Sequence, residues 1–422
     1  MTVKRTNALG FIFITILIDV IGVSIVIPII PTLIQQLTGA SLSKASTLGG
    51  WLSISYAIMQ FFCSPVLGRL SDHFGRRPIL LISLLGLGVD YFFQALAPTL
   101  AWLFVGRIIA GMCGASFTTA TAYIADISVP EKRAQNFGLI GVAFGLGFII
   151  GPAIGGIFSQ WGVRVPFIVA GCFSLLNALY GYFILPESLD KNVRRDFTMK
   201  SANPFNTLKQ LKRYPIISGL IVSFTLIYLA AQSVQSTWPY FTMLRFNWSP
   251  KMVGYSLSVV GLLIALVQGG LIRYTIPAFG QKNSVYVGLT LYAVALVLFA
   301  FADKSWMMFA FLIPYCLGGI AGPALQSIIS SQVPHNEQGE LQGGLTSLMS
   351  LTFIFGPLMM NNLFAWFTSK TAPVYFPGAA FMAGAVLMFL SIFFAIPSLK
   401  KYHLSTKETA ETEMPVPVEE NI

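Results

Sequence analysis

Apolar runs close to twenty residues long recur along the whole chain, each ended by a short polar stretch. A helix rises about 1.5 Å per residue, so about twenty residues cross a hydrocarbon layer about 30 Å thick. Barrel strands would be about half that length and would alternate in polarity. Of the 422 residues, 55% are hydrophobic and 10% charged, whereas a soluble domain carries about 25% charge. The sequence therefore predicts an all-α integral membrane protein whose first partner is the lipid bilayer. The net charge of +10 would suggest nucleic acid in a soluble chain; here it collects in the loops, and no nucleic-acid partner is expected.

Twelve transmembrane helices are predicted, at about 8–30, 47–67, 79–97, 101–125, 136–158, 165–185, 215–240, 252–272, 284–302, 306–331, 341–367 and 375–397. Lys4 and Arg5 precede a run that continues to about Ile30 and contains Asp19, so it reads as an uncleaved first span rather than a signal peptide. Lys and Arg gather on the cytoplasmic side of membrane proteins. Counted with the N-terminus inside, 19 of them fall in inner segments and 6 in outer ones, which places both termini in the cytoplasm. The predicted organisation is an N-terminal six-helix bundle over 1–185, a basic cytoplasmic linker over 186–214, a C-terminal bundle over 215–397 and a disordered cytoplasmic tail over 398–422.

The two halves repeat. Val129-Pro130 matches Val333-Pro334 and Gly151-Pro152 matches Gly356-Pro357, at offsets of 204 and 205 residues. Pseudo-symmetric halves are expected of transporters, with the substrate held between them near the midplane. Charge is kept in the first half only: Asp126 corresponds to Ser330 and Arg107 to Phe311. Between the second and third spans, Gly68 to Pro78 carries Arg69, Asp72, Arg76 and Arg77 and must lie in water. Gly68 and Gly75 there allow a tight turn or close packing.

Asp19, Asp90 and Arg107 are the ionisable residues well inside predicted spans. Each costs roughly 2.5–3.5 kcal/mol at the centre of a helix on insertion scales. Asp19 and Asp90 fall about 16 Å from the inner edge, and Arg107 about 9 Å from the outer one, so the three lie within about 5 Å in depth. One guanidinium and two carboxylates leave one carboxylate able to bind a proton. The trio is thus a candidate proton-coupling site, and a structural ion-pair network is the alternative.

Neutral polar groups at membrane depth populate the second half: Gln232, Gln235, Trp238 and Tyr240 in the seventh span, Gln268 in the eighth, Gln326 in the tenth, and Asn361 and Asn362 in the eleventh. Phe224, Tyr228, Phe353 and Phe355 add aromatic surface. Aromatics with a few amides suit an amphipathic organic solute. Cys63, Cys113, Cys172 and Cys316 all fall in predicted spans without a C-x-x-C pair, and His73, His335 and His403 are scattered, so neither a disulfide framework nor a zinc site is expected.

The 68–78 stretch resembles the loop between the second and third helices of major facilitator superfamily transporters. Asp19-Val20-Ile21-Gly22 with Pro28 and Pro31 resembles the first-span motif of the drug:proton antiporters in that superfamily, and Gly106-Arg107-Ile108-Ile109-Ala110-Gly111 their fourth-span motif. Gly141, Gly145, Gly147, Gly151-Pro152 and Gly155-Gly156 are similar to the fifth-span signature of exporters. Read physically, these glycines make a smooth face for helix packing. With Gln60, Asp126 and Pro323-Ala324-Leu325-Gln326 the likeness narrows to the tetracycline-exporter branch. Tyr292 is a departure from it, standing where those exporters carry an acid in the ninth span; Asp303 lies at the outer end instead.

The resemblance implies that Arg107 takes part in proton transfer. It also implies that Gly68, Asp72, Gly75, Arg76, Arg77 and Asp126 form an inner conformational latch, with Arg76 the partner of Asp126. Gly147, Gly151, Pro152, Gly155 and Gly156 would be an exporter hinge or seal, and Gln60 would join the substrate wall. The expected function is proton-coupled export of small amphipathic compounds by alternating access, in the inner (plasma) membrane, by a monomer. The proton gradient supplies the energy and no cofactor is called for. Proton-coupled import of a metabolite or siderophore, and a transport-inactive receptor, are the alternatives. No nucleotide loop, metal spacing or nucleophile–base constellation suggests an enzyme.

Overall fold

In the computed structural model the described residues are 2–114, 116–128, 130–189, 194, 218–333 and 338–412. Most of the predicted linker and the last ten residues of the tail lie outside them. Eleven apolar helical stretches are long enough to cross a bilayer, and one of them, Pro250–Ala300, has 51 residues. Gly280 interrupts that stretch at φ 75° and ψ 160°, a conformation glycine adopts without a Cβ penalty. It therefore counts as the eighth and ninth spans, and the described residues make twelve. The others are Thr2–Val26, Leu42–Phe74, Arg76–Ala95, Leu100–Cys113 with Ser116–Ile127, Pro130–Phe158, Val165–Ile184, Ser218–Phe246, Ser305–Gly318 with Ala321–Ser331, Gln338–Phe367 and Ala379–Thr412.

Several expectations change. The second span runs helically to Phe74, so most of the predicted polar loop is helix, and Gly75 alone makes the turn at φ 107°. Gly68 is not needed for it: a Cβ there would meet nothing within 4 Å. The fourth and tenth spans are each broken, around Gly114 and Gly319. The eighth extends past 272 through a π-helical turn, Val267–Leu271. The twelfth span continues to Thr412, so residues 398–412 are helical where disorder was expected. Once a helix leaves the membrane, its ladder carries on until a breaker intervenes, and after Pro397 there is no Gly or Pro before Pro415.

Lipid tails give helices no hydrophobic reason to associate, so close contact through small residues holds the bundle together. Gly147 and Gly151 face Val20, Ile21 and Ser24 of the first span, and Gly155 faces Ile25. Ser24 donates a hydrogen bond to the Gly147 carbonyl at 3.0 Å. Gly156 turns the other way, against Pro250 and Lys251 of the eighth span, whose Gly254 meets the Pro152 carbonyl. The fifth-span glycines thus pack one face on the first span and another on the opposite half.

The two halves are joined at the end of the bundle far from Gly75. Ser43 pairs with Thr368 at 2.7 Å, Ser46 donates to Asn361 Oδ1 at 3.1 Å, Ser258 donates to the Ile149 carbonyl at 2.6 Å, and Lys251 reaches Gln160 at 3.3 Å. These hydrogen bonds between the halves lie together at that far seam.

At the basic end Arg76 is 9% exposed and gathers the turn around itself. Its guanidinium meets Asp72 at 2.6 Å and Asp126 at 3.0 Å, and donates to Ser71 at 2.7 Å. Ser188 donates to the same Asp126 oxygen at 3.0 Å. Glu187, just past the sixth span, accepts from the backbone N–H groups of Arg76 and Arg77 at 2.8 and 3.3 Å, a carboxylate at the positive end of the third-span helix. Arg77 donates to the Tyr182 carbonyl at 2.7 Å and stands over its ring.

Two outcomes follow from this packing. Arg76→Ala would leave Asp72 and Asp126 facing each other without a counter-ion, and should lower stability by about 1–3 kcal/mol, read as a fall in Tm of the detergent-solubilised protein. Gly254→Val would drive a side chain into the Pro152 carbonyl and should cost about 1–3 kcal/mol by overpacking; an unchanged Tm would mean the fifth and eighth spans do not touch there.

Candidate functional site

Asp90 on the third span is 1% exposed. Gln94, one helical turn later, donates from Nε2 to Asp90 Oδ2 at 2.5 Å. The other carboxylate oxygen, Oδ1, and Gln94 Oε1 are buried with no hydrogen-bond partner among the described residues. Gly106 of the fourth span lies against both side chains, and a Cβ there would stand 3.1 Å from Asp90 Oδ1. The absent side chain brings the fourth span close enough for the charge of Arg107, the next residue, to act on Asp90.

Asp19 belongs to the same neighbourhood. Tyr56 of the second span and Tyr91 of the third each sit in the combined field of Asp19, Asp90 and Arg107. The Tyr91 hydroxyl would be 2.8 Å from a Cβ at Gly22, three residues past Asp19. Gly111 and Gly114 receive the second span at Tyr56, Met59 and Gln60, where Gln60 donates to the Tyr56 hydroxyl at 3.2 Å and to the Gly114 carbonyl at 3.5 Å. Four spans of the first half therefore bring one guanidinium and two carboxylates into a common region lined by tyrosine and glutamine.

The second-half wall does not come together as one surface. Gln232 is 2% exposed, lies on Gly356 and donates to Gln235 Oε1 at 3.4 Å. Gln326 donates to Gln342 Oε1 at 2.9 Å. Tyr228 stacks on Phe224 with ring centroids 4.7 Å apart. Trp238 is a correction: it is fully buried between Phe299 and Phe381 with its indole N–H on Ser256 at 2.9 Å, and so it is a core residue. Asn361 is another, being a member of the far seam through Ser46. Phe353 is 40% exposed, next to Ile354, which packs on the second span. Tyr292 pairs with Tyr315 at a ring separation of 4.6 Å and shares a hydrogen bond with it.

Sequence reasoning passed over Gln94, Tyr56 and Glu187. The first two carried a signal, since Gln94 follows Asp90 by four residues and Tyr56 precedes Gln60 by four, spacings that share a helix face. Glu187 had none, because the turn it caps is 111 residues away.

Comparison with known proteins agrees with this architecture. The Major Facilitator Superfamily model matches residues 12–279 and 273–418. The class C tetracycline resistance protein of Escherichia coli is 39% identical over 398 residues, covering 94% of this chain and 98% of the relative. The class B protein of Escherichia coli is 35% identical over 361 residues, covering 85% of this chain and 88% of the relative. Among solved structures, the human organic anion transporter MFSD10 aligns at TM-score 0.68 with 22% identity, covering 92% of this chain and 99% of that one. The nucleoside transporter NupG aligns at TM-score 0.71 with 12% identity, covering 93% and 98%; both likenesses concern the fold. Twelve spans in two halves, the charged turn at Gly75 and this breadth of similarity have one reading: the chain belongs to the major facilitator superfamily, in its group of tetracycline resistance proteins.

Proposed function

We propose that this transporter exports small amphipathic organic compounds, tetracyclines first among the candidates, in exchange for protons entering from outside. The observation that carries the reading is that buried Asp90 and half-buried Asp19 and Arg107 act on the same two tyrosines of the first half, Tyr56 and Tyr91. The names of the relatives point to tetracycline as the first substrate to test.

The chemistry follows from desolvation. Asp90 receives one amide N–H and has a second oxygen buried without a donor. A buried charge this thinly satisfied is costly, and a bound proton removes the cost. Proton binding would weaken the hold of the carboxylates on Arg107 and alter the balance between the two arrangements of the halves. With the basic face in the cytoplasm of an inner-membrane protein, a closed far seam is the inward-open arrangement, ready to take substrate from inside.

In inverted vesicles with an acidified lumen, tetracycline should accumulate against its gradient and release protons from the lumen; an importer would not do so. Asp19→Asn, Asp90→Asn and Arg107→Ala should each insert normally and abolish that accumulation. Wild-type accumulation by all three would refute the coupling role.

A further inference from the structure

The seventh span carries a buried polar atom that the cycle above does not use. Tyr240 is 3% exposed, and its hydroxyl has no hydrogen-bond partner among the described residues. The residue belongs to the second half, but its hydroxyl rests on Gly49 of the second span, in the space a Cβ would fill. Only glycine admits it there. The Tyr240 ring leans on Phe364 of the eleventh span at 6.4 Å, so the phenol is wedged into the seam between halves.

Register places this wedge beside the charged site. The second and fourth spans run parallel, both starting at the far end, and Tyr56 meets Gly111 and Gly114. Seven residues toward the far end from Tyr56 is Gly49; a comparable step back from Gly111–Gly114 reaches Phe104–Arg107. Gly49, Arg107 and Tyr240 each lie six or seven residues from the far ends of their helices at Leu42, Leu100 and Phe246, about 9–11 Å deep. The field of Arg107 reaches the Tyr240 hydroxyl. Around Arg107 in turn stand Asp19, Asp90, Tyr56 and Tyr91.

We propose that Tyr240 is the positioning residue through which the second half reads the charge state of the first: its phenol oxygen is the acceptor that Arg107 takes when the carboxylates are protonated. A guanidinium has five N–H donors and a phenol oxygen can accept. With the carboxylates ionised, Arg107 stays with them and the Tyr240 hydroxyl is left unpartnered. Proton binding frees the guanidinium to bond across the halves, which closes the far seam; proton loss frees Tyr240 and lets the seam part. The inference rests on the proton-coupled reading above and adds the residue that carries the signal between halves.

The test is cross-linking of Ser43→Cys with Thr368→Cys, the seam pair whose hydroxyls are 2.7 Å apart, in full-length protein in proteoliposomes across pH. The background protein should cross-link more as pH falls. Tyr240→Phe, which keeps the ring and removes the acceptor, should lose that pH response, because a hydrogen bond to a charged group shifts such an equilibrium by about tenfold or more. Gly49→Ala should give low cross-linking at every pH, since its methyl occupies the site of the phenol. A full pH response in Tyr240→Phe, or background-level cross-linking in Gly49→Ala, overturns the assignment and leaves proton coupling standing. A background protein that shows no pH response overturns both.

Discussion

The cost of an unpaired polar group in hydrocarbon governs this molecule. Every backbone N–H and C=O at membrane depth must be met within the protein, which is why the chain is helical wherever it crosses. The same cost makes a buried charge rare and gives it a short list of acceptable neighbours. Asp90 shows the constraint only partly met, with one oxygen held by Gln94 and the other left bare. A membrane protein that leaves such an atom undersupplied keeps a position where a proton changes the balance of forces.

Glycine distributes that balance over the bundle. Gly106 lets the fourth span approach Asp90 and Gln94, Gly111 admits the second span, and Gly147, Gly151 and Gly155 admit the first. In lipid these contacts rest on van der Waals packing, which falls off steeply with distance. An assembly held this way separates along a seam with little penalty, provided the seam is made of small residues and a few hydroxyls. Ser43, Ser46, Ser258, Gly156 and Gly254 meet that description at the far end. The basic end is built differently, from Arg76 between two carboxylates and Glu187 capping a helix. Among the described residues, the contacts of Arg76 with Asp72 and Asp126 and of Glu187 with the third span lie within the first half and brace it as a unit.

The asymmetry between halves has a structural counterpart. Gly75 and Gly280 make the same kind of turn 205 residues apart, both at positive φ. In the first half the turn is followed by Arg76 and its two acids; in the second it is followed by Gln281, which donates to Ser327 at 3.0 Å. The breaks in the fourth and tenth spans, at Gly114 and Gly319, repeat at the same offset. Backbone geometry therefore repeats between the halves, while at this turn an amide–hydroxyl contact of the second half stands where the first has a charged cluster.

Composition and hydropathy were enough to read the fold class and the spans, and to single out Asp19, Asp90 and Arg107, because lipid penalises charge residue by residue and leaves its mark locally. Which spans adjoin was not legible in this way. A helix has apolar residues all round when lipid covers it, so hydropathy does not tell Trp238 in a packed core from a tryptophan on a cavity wall. Nor does it tell Asn361 in a seam from an amide facing substrate. Those assignments came from tertiary structure alone, as did Gln94 on Asp90, Glu187 on the third-span terminus and the Tyr240 hydroxyl on Gly49. Each of them depends on rotation about a helix axis and on distances between distant segments, which only the packed bundle decides.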